Sequence, residues 1–280
     1  MNADKGKKRY VLSLSYGKDS MACLGAIEHL GWPLDRIVTA DVWATDTIPA
    51  EHPVMTAWTR EADEKIKARY GLCVEHYTAS RVDGEAGKKV SYRDGFYHKL
   101  QSGKFVGAVK GWPMQRGPWC QKLKLRAVRE VEKSILREAC GADVVWYLGI
   151  AADEPERIKR HIGRPDALLP LVEIGWEEEL CGLWSKYNGL LSPSYEFGSR
   201  DGCWFCHNQG VAQLRALRHE YPELWELMLK WDADSPVPFK SGGRSVRDYD
   251  LRFALEDEGV IDPDKRFFWR MLDAAQLRLF

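Results

Sequence analysis

The stretch Ser15-Tyr16-Gly17-Lys18-Asp19-Ser20 interrupts an apolar run that begins at Tyr10, and an apolar segment at helical spacing follows it. A helix amino terminus presents unpaired N–H groups and a partial positive charge, which favour an anion. Gly17 would permit a tight turn and close backbone approach. Lys18 would add a mobile cation, and Ser13, Ser15 and Ser20 could donate hydroxyl hydrogen bonds. The chemistry these types suggest is phosphate binding. The plainer alternative is a strand-to-helix turn with Asp19 or Ser15 as its cap. The Walker spacing is absent.

A second chemical cluster is Cys203-Trp204-Phe205-Cys206-His207. It satisfies the Cys-x-x-Cys-His pattern of covalent haem attachment, but such proteins are exported and this sequence opens without an export signal. The same residues could surround zinc or form a redox dithiol. The preceding "GSRDG" suits a tight loop offering N–H groups to sulfur. Cys120 lies 83 residues upstream of Cys203, after the Gly- and Pro-rich "GWPMQRGPW" and at the start of a helical pattern. That position should favour its thiolate. His207 could serve as a further ligand. The remaining cysteines, Cys23, Cys73, Cys140 and Cys181, sit in apolar or helical contexts and read as core, Cys181 being the nearest in sequence to the pair. Seven cysteines, scattered and odd in number, do not form a disulfide framework.

The elements that must position these residues follow from periodicity. "RYVLSLS", "RIVTADVWA", "LCVEHYTA" and "ADVVWYLGIA" read as buried strands. Residues 19–30, "PVMTAWTREADEKIKARYG" and "LKLRAVREVEKSILREACG" read as helices between them. In the second helix Val54, Trp58, Ala62, Ile66 and Tyr70 share a face, and Gly71 stops it. Alternating strands and helices predict an α/β, doubly wound, mainly parallel sheet with its ligand at the carboxyl ends of the strands. Residues 81–119 read as a long loop or lid. After Glu173 the pattern is helical, so the chain is divided into an α/β domain over 1–172 and a helical region over 173–280.

Composition excludes several classes. Lys plus Arg equals Asp plus Glu at 41 each, so any polyanion contact must come from a local patch. No apolar run approaches the roughly 20 residues that span a bilayer. The charged amino terminus lacks a secretory apolar region, which predicts a cytoplasmic protein.

"SYGKDS" after a first buried strand resembles the Ser-Gly-Gly-x-Asp-Ser loop of the PP-loop ATP pyrophosphatase (adenine nucleotide alpha hydrolase-like) superfamily, with Tyr16 where glycine is usual. "GIAADEPERIKR", "LLPLVEIGWEEE", "PWCQKLKL" and "GCWFCHNQG" look like segments of its phosphoadenosine phosphosulfate (PAPS) reductase-like branch, so the resemblance covers residues 9–210. It implies ATP cleaved between the α and β phosphates with Mg²⁺. Ser13, Ser15, Gly17, Lys18, Asp19 and Ser20 would surround the phosphates, with Lys18 and Asp19 catalytic. Asp41 would lie near the ribose or adenine, Gly149 and Asp153 would line the pocket, and Arg157 or Arg160 would approach the phosphates. Cys120, Cys203 and Cys206 would ligate a [4Fe–4S] cluster, with zinc or free thiols as alternatives. Cys120 would be catalytic in sulfur delivery.

The activity implied is an ATP-dependent sulfurtransferase. Its partners would be a sulfur donor such as a cysteine desulfurase and a tRNA or DNA acceptor, with no membrane; a homodimer is compatible. Two other classes stay open. One is a PAPS reductase, against which no cysteine follows Cys206; the other is a non-catalytic nucleotide-binding protein with structural zinc. Trp112, Trp119 and Trp204 lie beside the cysteines, and Trp225 and Trp231 lie further on. The segment 88–112 mixes five Lys, one Arg and five aromatics. It could touch a nucleic acid, but aromatics folded onto a core are the favoured reading.

Overall fold

The computed structural model describes residues 7–78, 89–113, 119–197, 202–270 and 272. Five strands form one parallel sheet in the order β3-β2-β1-β4-β5. They are β1 (Lys8–Ser13), β2 (Arg36–Asp41), β3 (Val74–Thr78), β4 (Asp143–Leu148) and β5 (Ala167–Leu168). The first four occupy the predicted runs. β5 has two residues, too short to leave a periodic signal.

Helices α1 (Lys18–Leu30) and α2 (Pro53–Tyr70) connect the first three strands. α3 (Tyr92–Phe96) and α4 (Trp119–Glu138) precede β4. Next come α5 (Pro155–Ile158), α6 (Pro170–Glu173), α7 (Glu178–Tyr187) and α8 (Ser194–Phe197). The chain continues through α9 (Val211–Glu220), α10 (Pro222–Asp234) and α11 (Val246–Asp257). α9 and α10 part at Tyr221-Pro222, where the proline opens a new helix as its first residue.

The sheet is buried on both faces because β1 alternates between two cores. Leu12 joins Met21, Leu24, Met55, Ala62 and Ile66 beneath α1 and α2. Val11 joins Val38, Val131, Ile135, Val144 and Trp146 beneath α4. A strand covered on both sides needs apolar residues in succession, which is why "YVL" carries no polar alternation. Burying one such side chain stabilises by about 1.5–3 kcal/mol.

The chain forms two compact units. One comprises residues 1–92 and 122–202, and the other 93–121 and 203–280. The first holds the sheet; the second is mostly helical. From Arg93 onward the described part of the expected lid is therefore a piece of the second unit. Phe96 and Trp112 are 1% exposed and lie 5.2 Å apart, centroid to centroid. Trp231 stacks on Phe96 at 5.6 Å and on Trp204 at 5.8 Å. Trp112 Nε1 donates to Asp232 at 2.9 Å and the Tyr97 hydroxyl to Asp234 at 2.6 Å. These aromatics build a core and are not available to stack on bases. Residues 81–88 and 114–118 of the expected lid, and the "GSRD" approach to Cys203, lie outside the described residues.

Two cysteine expectations are corrected. Cys23 and Cys181 are buried, but Cys73 and Cys140 are exposed. Cys73 stands between Gly71 and β3, and Cys140 adopts φ 52° in the turn after α4. Turns at element ends face solvent even when their residues are apolar.

Candidate nucleotide site and cysteine centre

β1 ends at Ser13 and α1 begins at Lys18, so the predicted loop sits at the carboxyl edge of the sheet. β1 lies between β2 and β4, the switch point where open α/β sheets leave a crevice. A small open cleft of about 60 Å³ occurs there. Ser13 and Ser15, Thr39 and Ala40, Glu51, and Lys124 and Glu132 of α4 are among its lining residues.

The turn is made differently from the expectation. Gly17 has φ −70°, which any residue adopts, and the left-handed residue is Tyr16 at φ 59°. A side chain with a Cβ reaches positive φ only with strain, and a tyrosine there costs about 1–3 kcal/mol. Tyr16 is 3% exposed. Its hydroxyl donates to Asp63 Oδ1 at 2.6 Å and contacts His76 Nε2 at 3.1 Å. Burial and the Asp63 carboxylate push its ionisation far above the ordinary range.

Gly17 is the cap residue of α1, and no side chain caps it, so neither Asp19 nor Ser15 plays that part. The Lys18 N–H donates to the Tyr195 hydroxyl at 3.2 Å. Ser15 Oγ donates to Ser20 Oγ at 3.1 Å, and Ser20 Oγ donates to the Gly17 carbonyl at 2.9 Å. These two hydroxyls shape the loop. Lys18 Nζ reaches Asp19 at 2.7 Å and Glu178 at 2.8 Å. Those partners outweigh burial and raise the ammonium's pKa, while burial raises that of Asp19.

Gly149 is explained by close packing. A Cβ there would meet Ser20 Cα at 2.6 Å, Ser20 N at 2.7 Å and the Asp19 carbonyl carbon at 2.9 Å. The end of β4 thus sits directly against the first turn of α1. Asp153 accepts the Glu178 N–H at 3.1 Å, orienting the start of α7. Arg157 is held by Glu154 at 2.5 Å, so it is an ion-pair partner in this state. Asp41 ends β2, and its carboxylate accepts from His76 Nδ1 at 2.9 Å. His76 Nε2 lies 3.0 Å from Asp63. The two carboxylates raise the His76 pKa to about 10, so the ring is an imidazolium bridging them.

Sequence reasoning missed Asp63, His76, Lys124, Glu178 and Tyr195. Tyr16 was the available signal: a bulky residue at a glycine position needs partners, and these are Asp63 and His76.

The cysteine centre belongs to the second unit, which contains Cys120, Cys203 and Cys206. All three are partly buried thiols. A turn closes the pair, with the Cys206 N–H donating to the Cys203 carbonyl at 3.0 Å. The Asn208 N–H points at Cys206 Sγ at 3.5 Å, and Gln209 Nε2 donates to the Cys203 carbonyl at 2.9 Å. Lys240 Nζ donates to the Gln209 carbonyl. Burial lowers the Lys240 pKa, and burial with the Lys240 charge lowers that of His207. Cys120 is close enough to Cys206 for their charges to interact. Its thiol is raised, contrary to the expected lowering, because burial outweighs the helix N–H groups. Cys181 is fully buried between α7 and α1. The donor chemistry of the three thiols fits an iron–sulfur or zinc centre. Among the described residues, however, no group of three or more His, Cys, Asp or Glu side chains is gathered to hold a metal ion. No described helix is long and apolar enough to cross a membrane.

No protein-family model matches the chain, and no curated protein matches it. Among solved structures, the chain is similar to the U34-tRNA thiolase NcsA from Methanococcus maripaludis with its [4Fe-4S] cluster, at 14% identity and a TM-score of 0.36. The alignment covers 90% of this chain and 74% of that one. A score of that size carries no inference about activity; the fold assignment stands on the strand order and the parallel pairing, which make this chain an α/β protein with a doubly wound parallel sheet and a mostly helical second part.

Proposed function

We propose that this protein is an ATP-dependent sulfurtransferase of the PP-loop kind. The observation that carries the reading is the loop between β1 and α1: a helix amino terminus whose cap residue is Gly17, with Lys18 in its first turn and Ser13 and Ser15 lining a switch-point cleft. ATP would place its β and γ phosphates on the α1 N–H groups and Lys18, with Asp41 toward the nucleoside. Mg²⁺ would neutralise charge on the phosphates. An acceptor oxygen attacks the α phosphorus, the α–β bridging bond breaks, and pyrophosphate leaves. Lys18 and the loop N–H groups stabilise the charge that builds on it. Sulfur then displaces AMP from the acceptor. Cys120, Cys203 and Cys206 would hold a [4Fe–4S] cluster, whose chemistry is the carriage of sulfur from a donor such as a cysteine desulfurase.

A nucleic-acid acceptor, tRNA or DNA, is favoured by the solvent face of α4. Lys122, Arg126, Arg129, Lys133 and Arg137 are all exposed at helical spacing, a cationic stripe about 22 Å long at 1.5 Å per residue. Lys133 pairs with Glu130, an exposed contact that a phosphate can displace. The patch exists although the whole chain has no net charge.

The test is anaerobic purification with elemental analysis, followed by product analysis on ATP with candidate acceptors. The reading expects broad absorbance at about 400 nm from bound iron and sulfide, with AMP and pyrophosphate as products. A colourless zinc protein without turnover would favour the nucleotide-binding alternative. PAPS binding without ATP cleavage would favour the reductase.

A further inference from the structure

Tyr16 heads a run of hydrogen bonds inside the sheet unit. Four side chains of the sheet unit form one chain of contacts: Tyr16 to Asp63 at 2.6 Å, Asp63 to His76 at 3.0 Å, and His76 to Asp41 at 2.9 Å. A direct contact between Tyr16 and His76 at 3.1 Å closes a triangle. The rings of Tyr16 and His76 stack with centroids 6.2 Å apart, and Trp58 of α2 meets Tyr16 edge-on at 6.2 Å. One end of the chain is the left-handed residue of the phosphate loop; the other is the carboxylate that closes β2.

We infer that Tyr16, His76 and Asp63 are positioning residues that tie the phosphate loop to Asp41, so that the two ends of a bound nucleotide are gripped by one hydrogen-bonded unit. The inference rests on the nucleotide reading given above. Three features support it. A buried tyrosine holds the strained backbone position where glycine would be free, and its hydroxyl has found two partners. His76, on β3, presents one ring nitrogen to each carboxylate, which fixes Asp41 relative to α2 and the loop together. Asp41 itself is a third exposed, so one side of its carboxylate remains open to a ligand. Glycine in the same place would relax the backbone but leave Asp63 and His76 without the loop.

The experiment is a double-mutant cycle on equilibrium binding of a non-hydrolysable ATP analogue, using Tyr16→Phe, Asp41→Asn and the pair in the full-length protein. Tyr16→Phe keeps the ring and loses only the hydroxyl; the expected result is roughly ten-fold weaker binding. The pair should be no more than a few-fold weaker than the worse single variant, because each breaks the same unit. Additive effects would overturn the tether, since a merely structural tyrosine lowers thermal stability without coupling to Asp41. Tyr16→Gly is the second arm. The tether predicts weakened binding despite the relieved backbone, and wild-type affinity in that variant would overturn it. If the wild-type protein binds neither the analogue nor pyrophosphate, the nucleotide reading itself fails.

Discussion

The His76 bridge should make stability fall as the pH is raised through the alkaline range. The ring lies between Asp41 and Asp63, and these hydrogen bonds raise its pKa from 6.5 to about 10. The unfolded chain would release that proton near 6.5, so the folded state binds more protons between the two values. The contribution is therefore complete below about 6.5 and disappears as the pH rises through about 10. A shift of this size corresponds to at most about 5 kcal/mol at 1.36 kcal/mol per unit. His76 is 34% exposed, and solvent screening brings the expected figure to about 1–2 kcal/mol. Tyr16 stays protonated throughout, and Glu51 adds to the negative field around it. The assay compares urea unfolding of the wild type and His76→Gln between pH 6 and about 10, which cancels the lysines and tyrosines common to both. The stability difference should shrink steadily over that window, and the His76 ring signal in NMR should not titrate near neutrality. A difference that is flat with pH, or a ring that titrates near 6.5, would refute the reasoning.

Other consequences follow from single contacts. Gly149→Ala would force a methyl against the Ser20 and Asp19 backbone; it should cost about 1–3 kcal/mol, read as a lower Tm, and weaken ATP binding by displacing the loop. Glu178→Gln releases one partner of Lys18 and should tighten ATP binding by up to about five-fold, the worth of a half-exposed pair, in calorimetric titration. Replacing Arg126 and Arg129 by Gln should lower RNA or DNA affinity and reduce the salt slope by about 0.7–0.9 per lost phosphate contact, with ATP affinity unchanged.

The sheet and its helices were legible because buried parallel strands are apolar runs and the helices between them are amphipathic. β5 escaped because two residues have no period. The break between β1 and α1 was legible from residue types, but its turn chemistry was not. Glycine at 17 drew attention, whereas the backbone placed its strain at 16. Asp63 and His76 were hidden because a charged residue on an amphipathic helix or strand reads as a solvated face until its partner is known. Residues 81–119 read as a lid from their glycines, lysines and aromatics. Phe96 and Trp112 join residues more than a hundred positions away, and such pairing has no local signature. Cys120 lies in a helix's first turn as expected, but the burial that raises its pKa depends on tertiary packing.

The central claim is that the break between β1 and α1 holds the phosphates of ATP. Calorimetric titration of ATP into the wild type and Lys18→Ala, with pyrophosphate as competitor, tests it most directly. The account predicts saturable binding by the wild type, competition by pyrophosphate, and a loss of about 10- to 100-fold in Lys18→Ala. Equal ATP affinity in the two proteins, or ATP binding indifferent to pyrophosphate, would contradict it.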